Sequence, residues 1–257
     1  MYDKLASVYD YFVNWEARLG YETPFILNQL GKLGSHPAEI KVMDTACGTG
    51  QHAIAIASAG YQVSGSDLFP QMVAIADENA RKAGQKVSFK VAGFGNISQI
   101  FGSSEKFDAV LCLGNSLPHV QSSQELHAAL KDFSDLLKPG GKLLLQSRNF
   151  DQILLSKRRW MEPQTYQNSD REWLFFRFYD FEPSGLIQFN ILTLNRQKGK
   201  AWQVSLNSTH LLPLLSTELE KALSQNGFSQ LQMYGNMKGD PYDPRTSGDL
   251  IMLAGKA

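Results

Sequence analysis

The sequence predicts a doubly wound α/β fold with a seven-stranded sheet, an N-terminal helical segment and an inserted antiparallel β meander. Three observations carry this prediction. Strand-like and helix-like runs alternate between Ile40 and Ser147, a glycine loop follows the first strand-like run, and a β-rich stretch interrupts the alternation after Phe150. A hydrophobic fraction of 43% over 257 residues is typical of a globular chain with a large core.

The alternating part of the chain has the pattern of a parallel sheet with helices on both faces. Its strand-like runs are short, and they are predicted at Lys41–Thr45, Gln62–Asp67, Val87–Val91, Phe107–Leu113 and Lys142–Ser147. Helices are predicted between them at Ala53–Ala59, Pro70–Ala83 and Glu125–Leu137. Pro139-Gly140-Gly141 is expected to end the third helix before the fifth strand.

The segments on either side of this part have a different composition. Residues 1–34 are predicted to be helical, and their aromatic residues either pack onto the core or close over a ligand. Residues 171–181, 186–196 and 201–211 are rich in β-formers and separated by turn residues, which predicts an antiparallel meander. A helix near Ser216–Gln225 and strands near Gln230–Tyr234 and Leu250–Leu253 are expected to complete the sheet.

We therefore predict four parts of the chain. Residues 1–34 form a helical lid, 35–150 the ligand-binding core, 151–213 an inserted β lid, and 214–257 the closing helix and strands.

Charge and composition favour a small-molecule partner. Lys plus Arg equals Asp plus Glu at 25 each, whereas nucleic-acid-binding domains usually carry a basic excess. No apolar run is long enough to span a membrane, and the first residues lack the pattern of a secretory signal. Two cysteines, Cys47 and Cys112, lie in apolar segments without a CxxC pair, as expected of a reducing compartment. We expect a cytoplasmic location, and the oligomeric state stays open.

The glycine loop lies in the stretch MDTACGTGQHA, residues 43–53. Gly48 and Gly50 let the backbone approach a ligand at the carboxyl end of the first strand. Asp67 ends the second strand, where a carboxylate can accept both hydroxyls of a ribose. Asp44 would repel a pyrophosphate but suits a ligand that carries positive charge. Loop and acid together predict an adenosine-like, partly cationic ligand, and a tight turn beside a surface aspartate is the other interpretation.

DTACGTG resembles the first motif of class I S-adenosylmethionine-dependent methyltransferases, whose fold is Rossmann-like. The segment LLKPGGKLLL, residues 136–145, resembles the helix, turn and fifth strand of the same class. The resemblance covers roughly residues 40–150 and implies S-adenosylmethionine as cofactor. It implies that Ala46–Gly50 line the methionine part and that Gly93 and Phe94 lie at the adenine. The family commonly has an acidic or amide residue where Gly93 stands.

A closer resemblance is to glycine N-methyltransferases and their sarcosine- and dimethylglycine-methylating relatives. Its residues are FDAVLCLGNSLPHV, 107–120, and LQSRNFDQIL, 145–154. The resemblance implies that Asn115 and Arg148 hold the amino-acid substrate and that His119 approaches the cofactor. The full set of cofactor-binding residues that it predicts is Asp44, Ala46, Gly48, Gly50, Asp67, Gly93, Phe94, Leu113 and His119.

Other interpretations of these residues remain at this point. Arg148 could pair with Asp151 or Glu182 as a structural ion pair, and Asn115 could be a turn residue. His119 and Asn149 could each cap a local segment. The tyrosines 2, 9, 166 and 179 are candidates for a lid over the substrate, and Tyr242 and Arg245 lie in a loop with surface composition.

The function predicted from these residues is methyl transfer by direct displacement to a small-molecule amine, glycine- or sarcosine-like. Such a reaction depends mainly on positioning and needs no metal, and no metal-ligand spacing is evident. Three alternatives stay open. They are transfer to an oxygen or carbon nucleophile of another metabolite, a nicotinamide-dependent oxidoreductase that uses the GxGxxA pattern, and a non-catalytic protein that binds S-adenosylmethionine.

Overall fold

The computed structural model describes residues 6–34, 36–102 and 104–257. It is a mixed α/β fold with a seven-stranded sheet and a four-stranded antiparallel sheet, which confirms the predicted fold class. Tyr2, a predicted lid residue, lies outside the described residues. The division of the chain into four parts stays a prediction.

Seven α-helices are present in the part of the chain that the structure describes. They are α1 (Trp15–Gly31), α2 (Gln51–Ser58), α3 (Pro70–Lys82), α4 (Ile97–Phe101), α5 (Ser123–Leu136), α6 (Phe150–Ser156) and α7 (Ser216–Gln225). Short 3-10 helices form at Ala6–Tyr11, Pro37–Glu39 and Leu117–His119. The sequence analysis missed α4 and α6, because segments of five and seven residues are too short to show a helical hydrophobic period.

The large sheet has the strand order β10-β11-β5-β4-β1-β2-β3. Its strands are β1 (Lys41–Thr45), β2 (Gln62–Asp67), β3 (Val87–Val91), β4 (Phe107–Cys112), β5 (Leu137–Arg148), β10 (Phe228–Tyr234) and β11 (Asp249–Lys256). β11 runs antiparallel between β10 and β5, and the remaining pairs are parallel. The strand order reverses between β1 and β4, so the carboxyl ends of these strands flank a switch point.

The second sheet has the order β6-β7-β8-β9 and is antiparallel throughout. Its strands are β6 (Gln164–Gln167), β7 (Arg171–Phe181), β8 (Ile187–Gln197) and β9 (Gln203–Leu211). The meander was predicted from three of these strands, and β6 was missed because its four residues are polar apart from one tyrosine.

Helices cover both faces of the large sheet. α4, α5 and α7 bury a cluster that includes Phe107, Phe133 and Leu223 on one face. α1 and α2 bury Ile26, Ile56 and their neighbours on the other face. The structure differs from the predicted bounds mainly at β5, which begins at Leu137 because the backbone of the Pro139-Gly140-Gly141 turn remains within the strand. Among the described residues no helix is long and apolar enough to cross a membrane.

Candidate active site

A cavity of about 430 Å³ opens at the switch point of the large sheet. Its wall combines the loop after β1, the ends of β2 and β3, and the loop after β4. This volume is in the range of small-molecule sites, and the location is where doubly wound sheets bind their ligands. The predicted residues that line it are Ala46, Gly48, Asp67, Gly93, Phe94 and His119.

The glycine loop contributes backbone to the cavity. Ala46 and Gly48 both have φ of 56°, in the left-handed region, and both line the cavity. Gly50 also has positive φ but does not line it. A Cβ on Gly50 would lie 2.9 Å from the side chains of Ala76 and Phe89. Gly50 therefore permits close packing of α2 against α3 and β3. Of the three residues, Ala46 and Gly48 are the ones positioned to contact a ligand directly.

Asp67 joins the end of β2 to the glycine loop. Its Oδ2 accepts a hydrogen bond from the Gly48 N–H at 2.9 Å, and its Oδ1 accepts one from the Phe69 N–H at 3.0 Å. Burial raises the pKa of Asp67, while these backbone donors favour its ionised form. The carboxylate is thus oriented on the cavity wall, where its remaining lone pairs can accept hydroxyl groups.

Asp44 lies deeper, within β1, and does not line the cavity. It is buried, and its Oδ2 has no hydrogen-bond partner among the described residues. Burial, and secondarily the charge of Asp67, raises the pKa of Asp44 to about 7. The Ala53 backbone supplies a hydrogen bond to the Asp44 carboxylate, but a buried oxygen without a partner is costly. The site would therefore be stabilised by a positively charged group bound near the loop.

The opposite wall is apolar. Phe94 lines the cavity and meets Phe133 of the core edge to face at 5.5 Å between ring centroids. Gly93 leaves room for Leu68, whose Cδ1 would lie 2.9 Å from a Cβ at position 93. Leu113, which was also predicted, belongs to the core and does not line the cavity, whereas the adjacent Gly114 does.

The N-terminal segment packs against the glycine loop. The Thr49 hydroxyl and the Trp15 indole N–H both donate to Asp10 Oδ1, at 2.8 and 2.7 Å. Tyr9 lines the cavity, and its Cε1 lies 4.0 Å from the position of a Cβ on Gly48. Of the candidate lid tyrosines that the structure describes, Tyr9 is the one on the cavity wall.

A buried polar network extends from this segment and was not predicted. Glu22 of α1 accepts hydrogen bonds from Arg18 at 3.1 Å, from His52 at 2.7 Å and from Gln146 at 2.9 Å. Gln146 Oε1 in turn accepts the Gly114 N–H at 3.0 Å. Burial opposes ionisation of Glu22, but the His52 hydrogen bond and the charge of Arg18 outweigh it and lower its pKa to about 2.

Arg18 brings a cation to the cavity edge. Its Nη2 would lie 3.1 Å from a Cβ on Gly114, a residue of the cavity wall. The guanidinium also lies over the Trp15 ring, 5.1 Å from its centroid. The only sequence signal for this arrangement was the Arg18/Glu22 spacing of four on a helix, which is common on solvent-exposed faces.

Asn115 and Arg148 are brought together at the ends of adjacent strands. The Arg148 N–H donates to Asn115 Oδ1 at 2.9 Å, and Asn115 adopts φ of 65°. The Arg148 side chain is about half exposed and pairs with Asp249 at 3.0 Å. The alternative partners considered from the sequence, Asp151 and Glu182, bind the Ser216 N–H and His210 instead. Neither Asn115 nor Arg148 lines the cavity itself.

The remaining candidates have mixed positions. Desolvation lowers the pKa of His119, on the cavity wall, to about 4. Tyr179 lies on the second sheet with its pKa raised by burial to about 12, and Arg148 is among the charges that act on it. Tyr166 stacks on Tyr11 at 4.3 Å, away from the cavity wall. Arg245 is exposed.

Asn149 caps α6 and anchors the loop before β11. Its Oδ1 accepts the Gln152 N–H, and its Nδ2 donates to the Ser247 carbonyl at 2.9 Å. The Tyr242 hydroxyl lies 2.6 Å from Asn149 Oδ1. The cap expected as one interpretation of Asn149 is therefore present, and Tyr242 fixes this loop to the core.

Comparison with known proteins agrees with this geometry. Residues 42–141 match the family model described as a methyltransferase domain. The chain is 35% identical over 146 residues to a glycine/sarcosine N-methyltransferase of Aphanothece halophytica, covering 57% of this chain and 53% of that protein. It is 29% identical to the Parasynechococcus marenigrum enzyme of the same name, covering 92% of this chain and 78% of that protein.

Among solved structures, an S-adenosylmethionine-dependent methyltransferase from Clostridium acetobutylicum superposes with a TM-score of 0.79 at 18% identity. The superposition covers 100% of this chain and 99% of that one, and it shows the shared fold. The chain spans about half the length of the first of these sequence relatives.

The residues present fit the cofactor of such a domain. Asp67 presents a carboxylate, Leu68 and Phe94 an apolar wall, and Arg18 a cation at the cavity edge. The unpartnered Asp44 oxygen lies behind the glycine loop. A nucleoside with a ribose, an amino-acid tail and one additional positive charge matches this set of groups.

Proposed function

We propose that this chain, whose residues 42–141 match a methyltransferase domain, transfers a methyl group from S-adenosylmethionine to a small-molecule amine. The amine would also bear a carboxylate and belong to the glycine or sarcosine class. The observation that carries the proposal is a shared position at the carboxyl ends of parallel strands. Asp67 and the glycine loop line the cavity there, and the Asn115–Arg148 contact follows β4 and ends β5.

The cofactor would be held by groups on several sides of the cavity. Asp67 would accept the ribose hydroxyls, Ala46 and Gly48 would contact the methionine part through their backbone, and Phe94 and Leu68 would enclose the adenine. Arg18 would bind the cofactor carboxylate, since a guanidinium binds carboxylates with paired hydrogen bonds. Asp44 would counter the ammonium charge through the loop. Gly50 and Leu113 would act on the pocket indirectly by packing.

The bound cofactor supplies a methyl group on a positively charged sulfur. The chain's contribution is to bind, orient and exclude water, and orientation of two reactants can provide effective molarities of ~10⁵–10⁸ M. Tyr9 covers the glycine loop, and its pKa is raised by desolvation, so the phenol stays neutral. His119, with a pKa near 4, is neutral at pH 7 and a weak base.

This weak basicity favours an amine acceptor. A neutral amine needs only its own lone pair, whereas an alcohol or carbon acid must lose a proton before or during attack. A cationic cofactor nearby lowers the pKa of an ammonium substrate and thereby favours its reactive form.

Arg148 would bind the substrate carboxylate, with Asn115 holding the loop below it. The guanidinium has five N–H donors, and Asp249 accepts from Nη1, so further donors remain for a substrate. Asp249 would keep the guanidinium oriented toward the substrate carboxylate. The substrate amine would react in its neutral form.

The test is methyl transfer from labelled S-adenosylmethionine to glycine, sarcosine, dimethylglycine, ethanolamine and a catechol. We expect transfer to the amino acids and loss of at least ~100-fold in kcat/KM in Arg148→Ala, because a charge-assisted bidentate contact is removed. Arg245→Ala is the matched control, since Arg245 is exposed. Transfer to ethanolamine or the catechol alone would refute the amino-acid proposal, and cofactor binding without transfer to any acceptor would refute catalysis.

A further inference from the structure

The second sheet has two faces with different surroundings. Its inner face carries Trp173, Phe175, Tyr179 and Ile191, which are buried against the N-terminal segment and α6. Side chains alternate along a strand, so the intervening residues of β7, β8 and β9 point to the opposite side. That opposite side is called here the outer face.

The outer face is apolar at its centre. Strand pairing places Leu174, Leu194 and Val204 in one row across β7, β8 and β9. The next row is Phe176, Leu192 and Leu206, and Phe178 follows beside Trp160. Directly opposed residues of antiparallel strands share a face, so these side chains are contiguous.

These outer-face side chains differ in exposure. Leu174, Phe176, Leu192 and Leu194 are half-buried, and Phe178 is half-buried against Trp160 and the Arg159 guanidinium. Val204 is 63% exposed, Leu206 57% and Trp160 54%. None of the apolar residues of the two rows belongs to the hydrophobic clusters of the described residues or packs against them. Soluble monomers seldom expose a contiguous apolar patch beyond ~300–600 Å², so a face of this kind indicates an interaction surface.

The two ends of the outer face are polar and internally paired. At one end Arg196 binds Glu172 at 2.8 Å. At the other end Asp180 binds Arg159 at 2.6 Å and accepts a hydrogen bond from Asn190. An apolar centre with a polar rim is the usual anatomy of a protein–protein interface. Because the rim charges are already paired, the face presents no charge that would select an oppositely charged partner.

We propose that the outer face is the interface of a homodimer, in which the second sheets of two copies pack face to face about a two-fold axis. The four strands have 4, 11, 11 and 9 residues, so at ~3.4 Å per residue and ~4.8 Å between strands the face measures roughly 570 Å². A stable interface buries ~800 Å² per partner, so the face would supply most of the area that each copy contributes. The rows of Leu, Phe and Val can interdigitate with identical rows, as in packed β-sheets.

Charge also favours a second copy as the partner. The chain has a formal net charge of zero, so two copies approach without long-range repulsion. The outer face carries few lone polar groups that would lose their hydrogen bonds against an identical apolar surface.

The test is sedimentation velocity and light scattering of the full chain over a range of micromolar concentrations. We expect the wild type at twice the 28.7 kDa chain mass. Leu206→Glu should raise the dimer dissociation constant roughly 100-fold or more and give the monomer mass, because a carboxylate would be buried in the apolar centre. Val204→Lys should likewise raise the dimer dissociation constant, because it would bury a positive charge in the same apolar centre.

Leu155→Glu is the matched control, since Leu155 is a 71% exposed leucine of α6 outside the outer face. It should remain a dimer. Circular dichroism and binding of S-adenosylhomocysteine report whether each variant is folded. A wild type that stays monomeric at every concentration would overturn the proposal. A dimer that persists in both Leu206→Glu and Val204→Lys would also overturn it, because the interface would then lie elsewhere.

Discussion

The Gly48 N–H donates to the Asp67 carboxylate at 2.9 Å, which joins the loop after β1 to the end of β2 across 19 residues of sequence. The bond fixes the distance between the two groups that we propose contact the ribose and the methionine part of the cofactor. It also orients Asp67 before any ligand binds, so less side-chain entropy is lost on binding.

Asp67→Asn should weaken binding of S-adenosylhomocysteine roughly 10- to 100-fold, because charge-assisted hydrogen bonds to the ribose are lost. An amide in that position also turns a donor toward the Gly48 N–H in one of its two orientations. Isothermal titration calorimetry measures the change. Asp77→Asn, an exposed aspartate of α3, is the control and should bind as the wild type does. Equal affinity in Asp67→Asn would contradict the ribose role.

Cofactor binding should release protons below pH 7. The pKa of Asp44 is raised to about 7 by burial and by Asp67, so the carboxyl is largely protonated at pH 6. A bound cation stabilises the carboxylate and lowers this pKa, so affinity should rise with pH up to about 7 and then level off.

Calorimetry at pH 6 in buffers with different ionisation enthalpies measures this proton release. Asp44→Asn keeps the side-chain shape and should abolish both the release and the pH dependence. Undiminished release in Asp44→Asn would assign the proton to another group.

Asn115 should be more tolerant of glycine than of alanine. Its φ of 65° lies in the left-handed region, and its Oδ1 accepts the Arg148 N–H. Both variants lose the hydrogen bond, but Asn115→Ala adds backbone strain of about 1 kcal/mol. In urea unfolding, the free energy of unfolding should be lowest for Asn115→Ala, higher for Asn115→Gly and highest for the wild type. The reverse order would mean that the loop rearranges in the absence of the side chain.

Glu22→Gln should destabilise the fold by about 2 kcal/mol at pH 7, because His52 and Arg18 lose a buried acceptor charge. The folded pKa of Glu22 is about 2, below its ordinary value of 4.5. Its ionised form therefore contributes stability above about pH 4.5, and this contribution is lost as the pH falls toward 2.

The difference between wild type and Glu22→Gln in urea midpoint should accordingly shrink from pH 7 to pH 3. Glu78→Gln removes an exposed ion pair with Lys82 and serves as the control, with little change expected. A destabilisation that is independent of pH would indicate a packing effect rather than a lost charge.

The sequence alone was sufficient to predict the positions of groups that lie at the ends of strands. Asp67 and Gly48 terminate neighbouring parallel strands or their loops, so the alternation of strands and helices already brought them together. The same rule brought Asn115 near Arg148, because β4 and β5 are adjacent and parallel. Local patterns thus predicted the groups on the cavity wall and the contact between Asn115 and Arg148.

Contacts between distant segments were not predictable in the same way. Asp249 faces Arg148 because β11 pairs antiparallel with β5, and a register between strands 101 residues apart has no local signal. The Glu22–His52 contact depends on how α1 crosses α2, which is decided by packing of both helices on the sheet. Leu113 and Gly50 both matched family motifs. In the structure Leu113 packs in the core, and a Cβ on Gly50 would meet Ala76 and Phe89.

β11 lies between β5 and β10 although it follows both in the chain. A ribosome that has made β5 must therefore add about a hundred further residues before that strand gains its second neighbour. At ~5–20 residues per second, the leucine-rich edge of β5 stays open for several seconds in the nascent chain. Chaperone capture of stalled chains should consequently end once Asp249–Lys256 leave the exit tunnel.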